Sequence, residues 1–86
     1  DLPVALALAS SFRGQPIPDD VFAFGEIGLA GEVRGASRVR ARLAEAAAMG
    51  FRRAIMPRCD REEIANLKDV EIVTVRTLAE ALEVVF

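Results

Sequence analysis

The chain has 86 residues, of which 52% are hydrophobic and 28% charged; its net charge is −2 and its pI about 5.1. This length allows one small domain at most, the apolar content excludes a disordered chain, and the acidic balance argues against indiscriminate polyanion binding. The single cysteine, Cys59, excludes an intrachain disulfide, and the absence of histidine excludes His-dependent triads and most transition-metal sites.

The first predicted element is a helix over residues 2–12. Asp1 is available as its N-cap, Pro3 is tolerated in the first turn, and Gly14 is suited to the C-terminal position. Its residues are apolar nearly all round, and a helix of that kind is buried on several sides. We therefore expect polypeptide upstream of Asp1 to cover part of it.

Two strands are predicted next. Residues 21–24 form a buried strand candidate, and residues 27–33 form a second one that Gly28 and Gly31 interrupt. Glycines inside strands mark bulges or close approach of another backbone. We expect one of these two features at residues 27–33.

An arginine-rich helix is predicted to begin at Ser37, which is suited to cap it. Apolar and small residues recur on one face of this helix at Val39, Leu43, Ala46 and Gly50. Arg38 and Arg42 then lie on one flank of the stripe and Arg40 on the other. Close packing of the stripe against a sheet would explain its small residues.

The remaining elements follow in the order strand, helix, strand, helix. Residues 53–57 predict a strand ended by a proline, and residues 60–67 a short helix that opens with Asp60. Residues 70–75 are rich in β-branched side chains, which favour a strand. Thr77 and Glu80 form a capping box for a last helix, whose apolar face has Leu78, Ala81, Leu82 and Val85. The predicted order is α-β-β-α-β-α-β-α.

Positive charge is concentrated in the middle of the chain. Residues 34–61 contain eight arginines against only Glu45 and Asp60. One interpretation is a solvated helix face whose arginines pair with neighbouring acids. The other is a basic face that contacts a polyanion.

Two stretches together carry a family resemblance. Residues 25–34 read Gly-Glu-Ile-Gly-Leu-Ala-Gly-Glu-Val-Arg, and residues 42–57 read Arg-Leu-Ala-Glu-Ala-Ala-Ala-Met-Gly-Phe-Arg-Arg-Ala-Ile-Met-Pro. With the opening and closing segments, they resemble the C-terminal Lon-like domain of the bacterial RadA (Sms) family of DNA repair proteins. The resemblance covers the whole chain and is most specific at residues 25–34.

The resemblance implies an α+β fold of the Lon proteolytic domain type (ribosomal S5 domain 2-like), an α/β sandwich. Residues 1–86 would be the C-terminal part of that domain, with its N-terminal half upstream of Asp1. The zinc finger and the RecA-like ATPase core of the family would also lie upstream. ATP, Mg and Zn are therefore expected in the rest of the parent protein, and no cofactor or metal is expected in this chain.

Resemblance to active Lon domains places Arg40 where those domains carry a catalytic lysine. An arginine stays charged at ordinary pH and cannot deprotonate a serine, and the only lysine is Lys68. The nucleophile of that family would stand upstream of Asp1, and Ser10, Ser11 and Ser37 do not align with it. The interpretation is a pseudo-protease with no catalytic residue.

Two acidic residues and two glycines near the arginines have structural interpretations. Glu26 and Glu32 are expected at a strand edge or an interface, because no proton partner is evident. The spacing of Gly28 and Gly31 lacks the loop-to-helix context that phosphate binding requires, so no nucleotide site is expected.

The resemblance to the RadA family implies a non-catalytic module for recombinational repair in a cytoplasmic, DNA-dependent ATPase. It also implies homo-oligomeric assembly, typically a hexameric ring, and sequence-independent binding of DNA. A membrane is not expected as a partner, because no apolar run approaches the roughly 20 residues needed for a span. The absence of Tyr and Trp argues against stacking of single-strand bases. The expected DNA-contacting residues are Arg34, Arg38, Arg40, Arg42, Arg52 and Arg53.

A fragment of a Lon-type Ser-Lys, ATP-dependent peptidase is the alternative function. The residue upstream of Asp1 distinguishes the two hypotheses, because a serine at the nucleophile position would favour the peptidase.

Overall fold

The computed structural model describes residues 1–35, 38–59, 61–64 and 69–86. The helices of these residues are α1 (Leu2–Arg13), α2 (Val39–Ala48), α3 (Arg61–Ile64) and α4 (Leu78–Val85). The strands are β1 (Val21–Ala23), β2 (Glu26–Ile27), β3 (Val33–Arg34), β4 (Arg53–Pro57) and β5 (Glu71–Val75).

The main sheet is parallel and has the strand order β1-β4-β5. Arg53 is the register partner of Val21 on one side and of Glu71 on the other. Parallel sheets are stable when both of their faces are covered, which explains why Ala54 through Pro57 are all buried in the central strand β4. The fold is therefore a small α/β unit built on a parallel sheet.

Helices cover both faces of this sheet. On one face, α1 and α4 pack against β4 and β5 through a cluster that includes Leu6, Ile55 and Ala81. On the other face, α2 packs through a cluster that includes Leu43 and Met56. Consecutive residues of β4 belong to opposite clusters because side chains alternate along a strand.

The predicted caps Asp1, Gly14 and Thr77 are confirmed, and α1 ends at Arg13, one residue beyond the predicted bound. The Asp1 carboxylate accepts a hydrogen bond of 2.9 Å from the backbone N–H of Val4, and Gly14 ends α1 with φ 66°. The Thr77 hydroxyl accepts a bond of 3.1 Å from the N–H of Glu80 at the start of α4. Asp1 and Thr77 bond to backbone N–H groups three residues along the chain, and Gly14 supplies a left-handed conformation, so local sequence suffices to predict these caps.

The burial predicted for α1 is present on one face of the helix. Leu2 and Leu6 are fully buried, whereas Val4, Leu8 and Phe12 are 55%, 66% and 94% exposed. Within the described residues, the sheet and α4 cover one face of the helix only. Burial of the other sides by polypeptide upstream of Asp1 stays a prediction. The uncovered residues form an apolar stripe.

The second predicted strand is a hairpin. β2 and β3 pair antiparallel, with Glu26 opposite Arg34, and residues 28–32 make the turn between them. Gly31 adopts φ +83°, a conformation that favours glycine, so it serves the turn and not a strand bulge. The hairpin adds a strand, and the observed order is α-β-β-β-α-β-α-β-α.

The apolar stripe of α2 is confirmed for Val39, Leu43 and Ala46, which are 3%, 1% and 0% exposed. Gly50, the fourth predicted member, lies beyond the end of the helix with φ +91°. The predicted cap Ser37 and the residues predicted to begin and end the short helix, Asp60 and 65–67, lie outside the described residues.

The helices of the described residues are all shorter than a membrane span. The longest, α1, has 12 residues, against the roughly 20 that cross a bilayer.

Candidate functional site

Three arginines of the middle block lie at or near the start of α2. The buried stripe of this helix faces the sheet, and Arg38, Arg40 and Arg42 are all exposed. Arg38 stands at the N-cap position with φ 58°, a left-handed conformation. The packing of the apolar stripe is therefore what directs these guanidinium groups outward.

A cleft of about 330 Å³ runs beside α2, and we call it the Met49 cleft. It combines apolar, cationic and anionic side chains, and its lining is Phe22, Arg38, Ala41, Arg42, Glu45 and Met49. Arg38 and Arg42 thus share one side of α2, as predicted from their spacing. Arg40 is not among the described lining residues of this cleft. This agrees with the prediction that Arg40 lies on the other flank of the buried stripe.

A second cleft, of about 510 Å³, opens beyond the end of β1, and we call it the Glu26 cleft. Its charged lining residues are Asp1, Glu26 and Arg42, so acids outnumber the single guanidinium there. The Arg42 Cζ lies 5.6 Å from the centroid of the Phe24 ring, a cation–π contact. Arg42 therefore lines both clefts, and the balance of charge favours the Met49 cleft as the place for an anion.

Arg34 lies on the hairpin. Its Nε is 3.9 Å from Oε1 of Glu32, and the two side chains are 67% and 42% exposed. An exposed ion pair of this length contributes little to stability and is screened by salt. Gly35, the residue after Arg34, lines the Glu26 cleft, as Arg42 does. Arg34 is therefore adjacent in sequence to a lining residue of that cleft.

Arg52 and Arg53 lie at the other end of α2. Their backbone N–H groups both donate to the Asp20 carbonyl, at 2.9 and 3.1 Å. A helix of ten residues separates them from Arg38 by about 15 Å. The structure therefore divides the predicted arginines into two groups and brings together only those near the start of α2.

The predicted acidic residues lie where the strand-edge interpretation places them. Glu26 is exposed on β2 and faces Arg34 across the hairpin, a favourable cross-strand pairing. Glu32 forms a bridge with Thr77, which joins the hairpin to the start of α4.

Ser10 and Ser11 take part in hydrogen bonds at the C-terminal end of α1. The Ser10 hydroxyl donates to the Gln15 carbonyl, and the carbonyl of Ser11 accepts from the N–H of Gly14. Both groups close the C-terminal end of α1. Ser37 and Lys68 lie outside the described residues. Among the residues that are described, no group of three or more His, Cys, Asp or Glu could hold a metal ion.

The sequence interpretation missed Phe22 and Met49 as members of a cleft. Phe22 alternates with Val21 and Ala23 along β1, so its side chain points to the α2 face of the sheet. Met49 follows the last helical residue and is 67% exposed. The sequence could have indicated Met49, because it is a large apolar residue that does not belong to the buried stripe of α2.

Comparison with known proteins places this chain in a family. The family model described as subunit ChlI of Mg-chelatase matches residues 1–60. The DNA repair proteins RadA of Haemophilus influenzae and Escherichia coli are 45% and 44% identical over 84 residues, which is 98% of this chain. RadA of Bacillus subtilis is 45% identical over 83 residues, or 95% of the chain.

The chain spans 18% of the length of each of these three curated relatives. The predicted resemblance to RadA is confirmed over nearly the whole chain. The chain belongs to the family described as subunit ChlI of Mg-chelatase and is RadA-like along almost all of its length.

Proposed function

We propose that this chain is the Lon-like module of a RadA-type DNA repair protein and that it binds the DNA backbone without reading bases. The observation that carries the proposal is the exposure of Arg38, Arg40 and Arg42 at the start of α2, in a RadA-like chain. Guanidinium groups contact phosphates and release the counterions that surround DNA. Such contacts are independent of sequence because every nucleotide carries the same phosphate.

Local charge supports this proposal better than the net charge does. The chain as a whole carries −2, yet residues 34–61 carry eight arginines against two acids. Asp1 and Glu26 line the Glu26 cleft with Arg42, so the charge balance is positive mainly at Arg38 and Arg40. Asp20 contacts the second arginine group through its backbone carbonyl. A duplex approaching the start of α2 therefore meets a positive surface, and repetition of that surface in a ring would strengthen the attraction.

The same proposal includes a Lon-like fold without peptidase chemistry. Arg40 stands where the resemblance places a lysine base, and it carries a charge that it cannot lose at ordinary pH. The relatives found are DNA repair proteins, so the Ser-Lys peptidase alternative is not favoured. ATP hydrolysis, zinc binding and the hexameric ring belong, in this proposal, to the full-length protein, of which the chain would supply an assembly surface.

The test is duplex binding by the full-length protein as a function of salt. Arg38→Ala and Arg40→Ala should each lower the slope of log affinity against log salt by about 1 and weaken all sequences alike. Arg42 is unsuitable as the first variant because its guanidinium also contacts Phe24.

Arg76→Ala is the matched control. It removes the same charge from an exposed arginine between β5 and α4, outside the predicted DNA-contacting residues. Sedimentation of each variant separates DNA contacts from assembly. Unchanged slopes with an intact oligomer would refute the DNA role, and a dissociated oligomer would assign these arginines to assembly.

A further inference from the structure

Leu29 is the most exposed large apolar side chain of the described residues, with a relative exposure of 108%. It stands on the turn of the β2–β3 hairpin, between Gly28 and Ala30. Neither neighbour has a side chain large enough to cover it. A leucine left wholly in water is stabilised when a partner surface removes it from water, so Leu29 has the character of a contact residue.

The turn that carries Leu29 is fixed by backbone hydrogen bonds. The N–H of Gly28 donates to the Glu32 carbonyl at 2.9 Å, and the N–H of Gly31 donates to the Gly28 carbonyl at 3.0 Å. The Gly31 carbonyl accepts from the N–H of Leu78, at the start of α4, at 2.9 Å. The hairpin is therefore joined to the body of the domain, and little conformational entropy is lost when its tip binds a partner.

The Met49 cleft is a surface that can receive such a side chain. Phe22, Ala41 and Met49 form the apolar lining of its volume of about 330 Å³, and Met49 is 67% exposed. The Phe22 ring is held by the rings of Phe24 and Phe51, whose centroids lie 5.7 and 5.6 Å away. Methionine adapts its shape to a partner. The cleft thus combines a fixed aromatic wall with an adaptable one, which suits an aliphatic side chain.

The hairpin and the Met49 cleft lie on opposite faces of the main sheet. Ile27 and Val33, the apolar residues of the hairpin, belong to the cluster on the α1 and α4 face. Phe22 packs against the cluster on the α2 face. Each copy therefore presents Leu29 on one side and the cleft on the other. A contact between them is head to tail, and such heterologous contacts produce a ring when the rotation between copies closes.

The charges beside Leu29 are complementary to those of the cleft. The hairpin carries Glu32 and Arg34, whose side chains are 3.9 Å apart and exposed. The cleft is lined by Arg38 and Glu45 as well as Arg42. Glu32 can face Arg38 while Arg34 faces Glu45, and the contact requires nothing from Arg42. Charge pairs at the rim of an interface contribute mainly to its register and specificity.

We propose that Leu29 of one copy of this chain inserts into the Met49 cleft of the next copy. The proposal rests on the proposed function and supplies its ring with a named contact. The Arg38 guanidinium has five N–H groups, so it can contact a carboxylate and a phosphate together. One side chain and two rim pairs bury far less than the roughly 1,200–2,000 Å² of a stable interface. The contact therefore forms in the full-length protein, where other contacts raise the effective concentration of the two surfaces.

Disulfide trapping in the full-length protein tests the contact. Leu29→Cys and Met49→Cys are introduced together, at two exposed positions where the fold tolerates substitution. A disulfide requires Cα atoms within about 7 Å, so oxidation should link each copy to the next and give a ladder of covalent oligomers beyond the dimer. Leu29→Cys with Ala44→Cys is the matched control and should give no ladder, because Ala44 is exposed on α2 but outside the described lining of the cleft.

Charge reversal tests the register of the same contact. Arg34→Glu and Glu45→Arg, each added to the protein with Leu29→Cys and Met49→Cys, should reduce the ladder, and the two reversals together should restore it. In the protein without new cysteines, Leu29→Ala should raise the concentration at which the oligomer dissociates by about tenfold.

A ladder that stops at dimers, a ladder that the Ala44 control reproduces, or a loss that the double reversal fails to restore would overturn the proposal. If no ladder forms while Arg38→Ala and Arg40→Ala still lower the duplex salt slope, only this contact is refuted and the DNA-binding function stands. If the full-length protein sediments as a monomer, the ring of the proposed function is refuted together with the contact.

Discussion

The side chain of Glu32 occupies the space that a Cβ atom on Gly28 would need. In the same turn, the N–H of Gly28 donates to the carbonyl of Glu32 at 2.9 Å, which closes the hairpin. Glu32 also lies 3.9 Å from Arg34 and forms a bridge with Thr77. The absence of a side chain at position 28 leaves this space to Glu32, so a larger residue there would displace the outer part of the Glu32 side chain.

A double-mutant cycle tests this relationship. Gly28→Ala should lower the free energy of unfolding, because the new methyl group must displace the Glu32 side chain from the turn. In a Glu32→Ala background the same change should cost less, with a coupling energy of about 0.5–1 kcal/mol. Urea unfolding of the four proteins measures it. An equal cost in both backgrounds would show that the Glu32 side chain is not the obstacle.

Gly25 gives a second stability prediction. It has φ +141°, and an added Cβ would lie 3.1 Å from both Pro57 Cδ and Val33 Cγ1. Gly25→Ala should therefore lower the free energy of unfolding by more than about 1 kcal/mol, through strain and crowding together. Gly35→Ala is the matched control, because a Cβ there meets no atom within 4 Å. Thermal melts that place both variants within 0.5 kcal/mol of the parent, on the roughly ±0.5 kcal/mol scale of surface changes, would contradict the prediction.

The exposed apolar stripe of α1 should make the isolated 86-residue chain associate. Val4, Leu8 and Phe12 are 55%, 66% and 94% exposed and lie on one side of the helix. Association removes such a surface from water. Phe12→Ser should weaken association in sedimentation velocity, while Leu29→Ser, on the hairpin turn, should have little effect. A monomer that melts cooperatively and binds no hydrophobic dye would show that the stripe does not cause self-association.

The pseudo-protease hypothesis predicts the absence of peptidase activity. The full-length protein should not cleave casein or fluorogenic peptides, because Arg40 cannot accept a proton from a serine. Arg40→Lys alone should not create activity either, since a positioned nucleophile is also required. Turnover that a serine-directed inhibitor abolishes would contradict this hypothesis. A parallel measurement of DNA binding confirms that each preparation is folded.

Helix ends and strand positions were predictable where the signal was local. Asp1, Gly14 and Thr77 were identified as caps from their neighbours alone, and the structure confirms all three. β4 was predicted with the bounds that it has, because its apolar run ends at Pro57. The buried face of α2 was predicted through Ala46, and its spacing also placed Arg38 and Arg42 on one side.

The hairpin was not predictable in the same way. β2 and β3 have only two residues each, too few for a recognisable alternation of apolar and polar side chains. Their position depends on contacts with a distant segment. The N–H of Val33 donates to the Arg76 carbonyl at 2.7 Å, and the N–H of Leu78 donates to the Gly31 carbonyl at 2.9 Å. Periodicity within residues 27–33 carries no information about these partners.

The sequence by itself determined which segments become helices, where the caps stand and that arginines cluster in the middle of the chain. The physical reason is that capping, helical periodicity and charge depend on residues close together along the chain. Only the tertiary structure decided which arginines lie near one another. A helix of about 15 Å separates Arg38 from Arg52, and the packing of Phe22 beside α2 creates the Met49 cleft. Such neighbourhoods arise from contacts between segments far apart in sequence, and no local pattern encodes them.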